Sequence, residues 1–252
     1  MTAGSEAPLA GKTIVVTRPA EAGGELSSRL RSLGAAVLEA PTIRIEEPGA
    51  GGPLDEAIRD AAAGRFAWVV FTSAAGVAAW FELSRSLGEA RPKASLAAVG
   101  DGTADALRVN EAAPDLVPER FTTAALGESF PRGSGDVLLA RADRAAPDLE
   151  DVLRSKGWTP VRVDAYRTHL AESLPDGVRR ALDDGGVDAV TFTSASTVEG
   201  FVRAAGDVKL PPAVCIGPVT TDAARAAGFD VVAVAEPHTV DGLIDAVRRA
   251  LE

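Results

Sequence analysis

Phe71-Thr72-Ser73-Ala74 recurs later in the chain as Phe192-Thr193-Ser194-Ala195. Each tetrapeptide follows a short apolar run and precedes a stretch with helical spacing, so it is predicted to end a β-strand and begin an α-helix. Two such copies indicate an internal repeat of one α/β unit. The repeat predicts two similar lobes with a cleft between them, and the strand-end loops that line such a cleft are the expected ligand site.

Further matching segments extend the repeat over most of the chain. They lie mainly at strand ends, where an α/β fold keeps its binding groups. The pairs are Thr17-Arg18 with Ala140-Arg141, Leu33-Gly34 with Lys156-Gly157, Thr42-Ile43-Arg44 with Ala165-Tyr166-Arg167, and Val99-Gly100 with Ile216-Gly217.

Hydrophobic periodicity predicts the secondary structure of both copies. Leu26, Leu30 and Leu33 fall on one face of a helix, and Gly34 follows as a candidate C-cap. Such helices alternate with short apolar runs, which predicts parallel sheets with helices on both faces. Five strands per copy favour the flavodoxin-like order 2-1-3-4-5. The predicted strands are 13–17, 36–40, 68–72, 96–99, 115–117, 137–140, 160–163, 189–193, 214–216 and 231–234.

Segments 41–48 and 164–170 interrupt this alternation and are predicted to be extended. They are equivalent in the two copies, and each follows the second strand of its copy, so each is a candidate crossover between lobes. Two arrangements are compatible with this pattern. Either each copy folds on itself, with a boundary near Gly133, or the middle of the chain forms one lobe and both ends form the other. In the second arrangement the crossovers lie side by side as a two-stranded hinge.

The composition is that of a globular protein, with 46% hydrophobic and 25% charged residues in a chain of 252. No apolar run approaches the ~18 residues of a membrane-spanning helix, and residues 1–6 lack the features of a secretory signal. The net charge of −10 argues against nucleic acid as a partner. We therefore expect a cytoplasmic protein without a nucleic-acid or membrane partner, for which a monomer is sufficient.

Hydroxyls and main-chain amides at the strand-to-helix turns are candidate ligand groups. Thr and Ser are favourable N-caps, and the amides and dipole of a helix N-terminus favour an anion. The alternative is that Ser73 and Ser194 are ordinary caps. The next turns, Gly100-Asp101-Gly102-Thr103 and Gly217-Pro218-Val219-Thr220-Thr221, suit close approach of a ligand to the backbone. Neither turn is a P-loop, and no dinucleotide-binding fingerprint is present.

Three side chains are candidates for ion pairing or proton transfer. Arg18 and Arg141 follow the first strands of the two copies, where either could hold a carboxylate; the alternative is an ion pair with a nearby Asp or Glu. Tyr166, the only tyrosine, is a candidate proton donor to a departing oxygen; the alternative is an aromatic that packs at the crossover. The two histidines and Cys215 show no metal-ligand spacing, so no metal is expected.

These segments, in this order, resemble the uroporphyrinogen-III synthase family over nearly the whole chain. The resemblance implies an α/β fold of two flavodoxin-like parallel-sheet lobes joined by a two-stranded hinge. One lobe would comprise residues 1–42 and 169–252, the other 47–163, and the hinge 43–46 and 164–168. The matching segments are Thr17-Arg18-Pro19, Phe71-Thr72-Ser73, Ala165-Tyr166-Arg167-Thr168, Phe192-Thr193-Ser194-Ala195-Ser196 and Ile216-Gly217-Pro218-Val219-Thr220.

The resemblance also implies a reaction. The substrate would be hydroxymethylbilane, a linear tetrapyrrole octacarboxylate, which loses water, is inverted at ring D through a spiro intermediate and closes to uroporphyrinogen III. The family uses no cofactor, and Tyr166 matches its tyrosine proposed to assist departure of the hydroxyl. By correspondence Ser73, Ser194, Ser196, Thr220 and the Gly217 backbone would bind acetate and propionate groups. With the strand-end candidates, the predicted substrate-binding set is Arg18, Ser73, Gly100, Thr103, Arg141, Thr193, Ser194, Ala195, Ser196, Gly217, Pro218 and Thr220.

Two positions depart from the family pattern, since relatives often carry a second threonine at Val219 and some carry a basic residue at Ala75. Two other functions are compatible with the fold: a non-catalytic cytoplasmic protein that binds or senses a tetrapyrrole, and a regulator attached to a DNA-binding unit. No helix-turn-helix segment follows the last predicted helix, which disfavours the second. Besides the small-molecule substrate, the expected partner is a transient contact with the preceding pathway enzyme.

Overall fold

The computed structural model describes residues 7–18, 20–49 and 51–252. Within them, the internal contacts divide the chain into two compact units. The terminal unit comprises Met1–Arg44 and His169–Glu252, and the central unit comprises Ile45–Thr168. The hinge predicted at 43–46 and 164–168 and the predicted domain limits stay predictions.

Strands and helices alternate along the described residues. The strands are β1 Thr13–Val16, β2 Ala36–Glu39, β3 Ile43–Glu46, β4 Trp68–Phe71, β5 Ser95–Ala98, β6 Asp136–Ala142, β7 Thr159–Leu170, β8 Ala189–Phe192, β9 Ala213–Cys215 and β10 Val231–Val234. The helices are α1 Ala20–Ser32, α2 Pro53–Ala63, α3 Ala74–Leu87, α4 Asp101–Val109, α5 Thr123–Ser129, α6 Asp148–Ser155, α7 Asp176–Asp183, α8 Ala195–Ala205, α9 Pro218–Ala226 and α10 Val240–Leu251.

The sheet of the terminal unit has the strand order β2-β1-β8-β9-β10, and every neighbouring pair is parallel. Numbered within the unit this is 2-1-3-4-5, so the flavodoxin-like prediction is confirmed here. Alternate residues of β1 enter two different apolar clusters, Val15 on one face and Ile14 and Val16 on the other. Helices therefore cover both faces, which is why the central strands are continuous apolar runs.

The sheet of the central unit has the order β3-β7-β6-β4-β5, with β7, β6, β4 and β5 in parallel pairing. These four strands correspond to positions 2-1-3-4 of the repeat. Val69 and Phe71 of β4 enter one apolar cluster and Val70 enters the other. The two-sided covering of the sheet thus recurs in this unit, and the predicted α/β class with two parallel-sheet lobes is confirmed.

The predicted strand at 115–117 is wrong. Only Leu116 pairs there, through an isolated bridge to Ala97 of β5. Proline on both sides, at positions 114 and 118, removes the backbone donors that a longer ladder needs. The fifth strand of this sheet is instead β3, which lies at the opposite edge beside β7.

The two segments predicted to be extended are strand in the structure. Residues 43–46 form β3, and β7 continues without interruption from the predicted strand 160–163 through residue 170. Gly34 and Gly157, which follow equivalent helices of the two copies, have φ of 94° and 97°. Such left-handed backbone ends a helix at little cost only in glycine, so the helix end predicted at Gly34 is confirmed and recurs at its repeat equivalent, Gly157. Among the described residues, no helix is both long and apolar enough to cross a membrane.

Candidate functional site

In the terminal unit, parallel pairing gathers three predicted site segments at one edge of the sheet. Arg18 follows β1, residues 193–196 follow β8 and residues 217–220 follow β9, and these three strands are neighbours. The carboxyl ends of neighbouring parallel strands meet at the same edge, which is where open α/β sheets bind ligands. We call this set of residues the terminal edge.

Hydroxyl groups at the start of α8 form a connected set within the terminal edge. Ser194 is the N-cap: its Oγ accepts from the Thr197 amide at 3.2 Å, and Thr197 Oγ1 accepts from the Ser194 amide at 3.2 Å. This capping box leaves the Ser194 Oγ also within 2.9 Å of the Ser196 Oγ. Thr193, Ser194, Ala195 and Ser196 are all partly exposed, so this turn offers hydroxyl and amide donors to a ligand.

Glycine is the N-cap of the helix that follows in each unit. Gly217 precedes α9, with Pro218 in the first turn, and Gly100 precedes α4; neither helix has a side-chain cap. A Cβ at Gly100 would lie 2.7 Å from the Phe121 Cβ, so glycine is required there by packing as well. Thr103 and Thr220 are 5% and 4% exposed, which leaves mainly the backbone of these turns to face a ligand.

In the central unit, the corresponding edge carries the two predicted residues that the structure joins directly. Ser73 is the N-cap of α3, and its Oγ accepts from the Gly76 amide at 3.1 Å. The Tyr166 hydroxyl donates to the same Oγ at 3.0 Å. The phenol of β7 is therefore held at the N-terminus of α3, beside the carboxyl end of β4. We call Ser73, Gly100, Arg141 and Tyr166 the central edge.

Gly76 packs beside this contact, and sequence reasoning did not single it out. A Cβ at Gly76 would lie 3.2 Å from Ser73 Oγ and 3.7 Å from Tyr166 Cε1. The equivalent residue of the other copy is Thr197, whose side chain completes a capping box. Both turns cap their helices through a serine, but only Thr197 has a side chain that bonds back to the N-cap. A comparison of the two copies at this position could have shown this difference from the sequence.

Burial keeps the phenol in its neutral form. Tyr166 is 9% exposed, and this burial raises its pKa above the ordinary value of 10.0. The hydrogen bond to Ser73 and the charge of Arg141 lower the pKa in part, and the charge of Asp143 raises it. At neutral pH Tyr166 is therefore a hydrogen-bond donor with a transferable proton, and not a base.

The two repeat-equivalent arginines have different surroundings. Arg141 is 3% exposed, and its Nη1 donates to Glu150 at 2.6 Å and to the Ala146 carbonyl at 2.8 Å. This is the ion pair that the sequence left open as the alternative to ligand binding. Arg18 is partly exposed, and within the described residues no hydrogen bond or ion pair of its guanidinium is found. Partial burial lowers the pKa of Arg18, and the charge of Glu25 raises it in part. A bound anion would compensate for the water that the partly buried guanidinium has lost.

A cavity of about 490 Å³ lies beside Tyr166 in the central unit. The turn that follows β3 forms one wall, and β7 forms the other through Arg162, Asp164, Tyr166 and Arg167. Its walls carry both signs of charge. Within the described residues no group of three or more His, Cys, Asp or Glu side chains could hold a metal ion.

Cys215 lies in β9 and should be inert in the folded protein. It is fully buried, and burial raises its pKa from 9.0 to about 11 although Thr221 acts against this. Because the thiolate is the nucleophile, we expect no reaction with a disulfide reagent at about pH 8 until the protein is unfolded, when its single thiol should react fully. Reaction of the native protein at the rate of a free thiol would contradict this.

The pKa of Cys215 is higher in the folded than in the unfolded protein. Ionisation of this thiol therefore lowers the free energy of unfolding only as the pH rises above 9.0 towards about 11.

The chain is similar in sequence to known uroporphyrinogen-III synthases. The family model for uroporphyrinogen-III synthase HemD matches residues 24–245. A uroporphyrinogen-III synthase of Synechococcus elongatus is 30% identical over 97% of this chain and 97% of its own length. A porphyrin biosynthesis protein HemD of Ruminiclostridium josui is 35% identical over 94% of this chain, which spans 48% of that protein, about half its length.

Solved structures show the same fold. A mutant uroporphyrinogen III synthase of Thermus thermophilus superimposes with a TM-score of 0.71 at 26% identity, covering 95% of this chain and 98% of that one. The uroporphyrinogen-III synthetase of Helicobacter pylori, at 18% identity and a TM-score of 0.56, shares the fold over 94% of this chain and 98% of its own. With a family match over most of its length and a relative of equal extent, the chain belongs to the uroporphyrinogen-III synthase family.

Proposed function

We propose that this chain converts hydroxymethylbilane into uroporphyrinogen III, with loss of water and inversion of ring D. Its family is one of cyclising hydro-lyases of tetrapyrrole biosynthesis. The observation that carries the proposal to this chain is the hydrogen bond from Tyr166 to Ser73 at the central edge. It presents a neutral phenol at a strand end, where departure of a hydroxyl group needs a proton donor.

The proposed chemistry makes modest demands on an acid. The substrate readily loses its hydroxyl and closes without help to the uninverted isomer, so the enzyme mainly controls geometry. The Tyr166 phenol donates to the oxygen of the breaking carbon–oxygen bond, and water leaves. Ring closure later releases a proton from a pyrrole carbon, which restores the phenol and balances the reaction.

Hydroxyls and amides at the two edges are the proposed ligands of the substrate carboxylates. The net charge of −10 opposes a polyanionic substrate, so attraction has to be local. Ser194, Ser196 and the amides of their turn supply it at a helix N-terminus, and the guanidinium of Arg18 follows a neighbouring strand. At the glycine-capped turns, Gly100 and Gly217 would offer backbone groups. The proposed set is completed by Ser73, Thr103, Arg141, Thr193, Ala195, Pro218 and Thr220.

The decisive experiment supplies freshly made hydroxymethylbilane to the purified protein, oxidises the products and separates the type I and type III isomers. We expect mainly type III, formed faster than spontaneous closure. Type I alone, at the spontaneous rate, would contradict the proposed function. It would favour the second candidate, a protein that binds a tetrapyrrole without turnover, which the names of the relatives do not support.

We further propose that the protein acts as a cytoplasmic monomer that receives its substrate through brief contact with the preceding enzyme. The support is chemical, since a substrate that closes spontaneously benefits from rapid transfer. Light scattering at assay concentration should give the mass of one chain, 25.8 kDa. A stable dimer would contradict the monomer.

A further inference from the structure

A β-bulge places Tyr166 on the inner face of β7. The parallel register of β6 and β7 shifts after Arg141, which pairs with Asp164, to Ala142, which pairs with Tyr166. Ala165 is the extra residue, and Ala165 and Tyr166 both enter the same apolar cluster, although successive residues of a strand normally face opposite sides. The bulge therefore reverses the alternation and directs the phenol inward.

Asp143, the first residue after β6, holds the chain at Tyr166 and at Thr168, two residues further on. Its amide donates to the Tyr166 carbonyl at 3.1 Å, and its Oδ1 accepts from the Thr168 amide at 3.0 Å. A continuing parallel ladder would use a main-chain carbonyl for the second bond. A carboxylate oxygen thus replaces a main-chain acceptor at the point where the bulge has disturbed the ladder.

Arg162 explains why the Asp143 carbonyl is not used by the ladder. Its Nη2 donates to the carbonyls of Asp143 at 2.8 Å and Ala142 at 2.9 Å, and its Nη1 donates to Ala145 at 2.7 Å. These bonds hold the turn after β6 in a conformation that leaves the Asp143 side chain free to reach Thr168.

We propose that Asp143 is a positioning residue for Tyr166, holding residues 166–168 so that the phenol meets Ser73 at the start of α3. The effect of Asp143 on the reaction rests on the proposed function. The position of the phenol is a property of the fold, and the two claims are tested by separate experiments.

The carboxylate also acts on the phenol through its charge. Asp143 raises the Tyr166 pKa, and Arg141, at the end of the adjacent strand, lowers it. At the start of α3 the phenol meets the uncharged Ser73 hydroxyl. The charged residues that line the cavity together with Tyr166 are Glu46, Glu47, Arg162, Asp164 and Arg167. Because Tyr166 is the only tyrosine, its titration can be followed by tyrosinate absorbance without ambiguity.

Two variants separate charge from position. Asp143→Asn keeps an oxygen acceptor for the Thr168 amide but removes the charge, so the phenol should ionise at lower pH while hydrogen exchange at Thr168 stays slow. Asp143→Ala removes both, so exchange at Thr168 should also become about 10-fold faster or more, because the amide loses its partner. Asp105→Asn, an exposed acidic residue of α4 paired with Arg108, is the control for loss of one charge and should change neither.

Wild-type titration and wild-type exchange in Asp143→Ala would overturn the proposal. If that variant fails to fold, Asp143→Asn still decides, because faster exchange at Thr168 in this variant would overturn the hydrogen-bond role. An unshifted titration in Asp143→Asn would show only that the charge does not act on the phenol. Faster exchange at Thr168 in both variants would show that the carboxylate charge, rather than an oxygen acceptor, holds the strand, and the stated hydrogen-bond role would be wrong.

The catalytic consequence is tested by a double-mutant cycle on formation of the type III isomer. Asp143→Ala should lower kcat about 10-fold when Tyr166 is present, since small misplacements of a reacting group are costly. In a Tyr166→Phe background it should lower kcat little further, because the residue that it positions is gone. Equal losses in both backgrounds would overturn the positioning role. Absence of type III isomer from the wild type would refute the proposed function alone, and titration and exchange would still decide the position of Tyr166.

Discussion

Tyr166→Phe should slow formation of the type III isomer about 10- to 100-fold, the low end of the range for general-acid assistance. The phenylalanine ring keeps the packing against Gly76 but has no proton to give to the departing hydroxyl. The effect should lie in kcat, because the phenol acts on the breaking bond and not on a carboxylate. A larger share of type I isomer should accompany it, since spontaneous closure then competes with the slower enzymatic route.

The control for this variant is Thr159→Val, which removes a hydroxyl from the exposed beginning of the same strand, β7. It should leave both rate and isomer ratio unchanged. An unchanged rate in Tyr166→Phe at saturating substrate would remove Tyr166 from the mechanism. The Tyr166–Ser73 hydrogen bond would then have only a structural role, worth about 1 kcal/mol of stability.

Arg141→Ala should lower the free energy of unfolding by about 3–5 kcal/mol, because it removes the partner of the buried Glu150 side chain. The two side chains are 4% and 5% exposed and lie 2.6 Å apart. Arg162 lies 3.8 Å from the other carboxylate oxygen and only partly replaces the lost partner. Urea unfolding measures the loss, and converting the pair to apolar residues in Arg141→Met/Glu150→Leu should recover much of it.

Arg18→Ala is the matched control, since Arg18 is the repeat equivalent of Arg141 and forms no ion pair within the described residues, although the charge of Glu25 acts on it. Its stability should change by no more than about 0.5 kcal/mol, and the KM for hydroxymethylbilane should rise. Loss of stability in Arg18→Ala comparable to that in Arg141→Ala would contradict the different surroundings assigned to the two arginines. An unchanged midpoint in Arg141→Ala would contradict the buried pair.

The different fates of these arginines could have been read from the repeat. The copies align Leu26 with Leu149, and on the same alignment Glu150 corresponds to Ser27. Only one copy therefore places a carboxylate on the helix that follows the arginine at this position. Ser27 is fully buried and its Oγ has no hydrogen-bond partner among the described residues, whereas Glu150 binds Arg141.

The sequence by itself determined the family, the α/β class and nine of the ten predicted strands. Apolar periodicity and turn residues are local signals, and the internal repeat presents the same signals in both copies. It was wrong at 115–117, where short apolar spacing looked like a strand and flanking prolines prevented one. The predicted site residues stay predictions, although the sheets bring several of them together at each edge.

Only the tertiary structure determined the direction in which the Tyr166 phenol points. The bulge at Ala165 and the Asp143 side chain that bonds Thr168 each act between residues far apart in sequence. No periodicity encodes such contacts, because each depends on which strands pair and in which register. The sequence thus predicted Tyr166 in an extended crossover segment, while the pairing of β6 with β7 determined that its hydroxyl reaches Ser73.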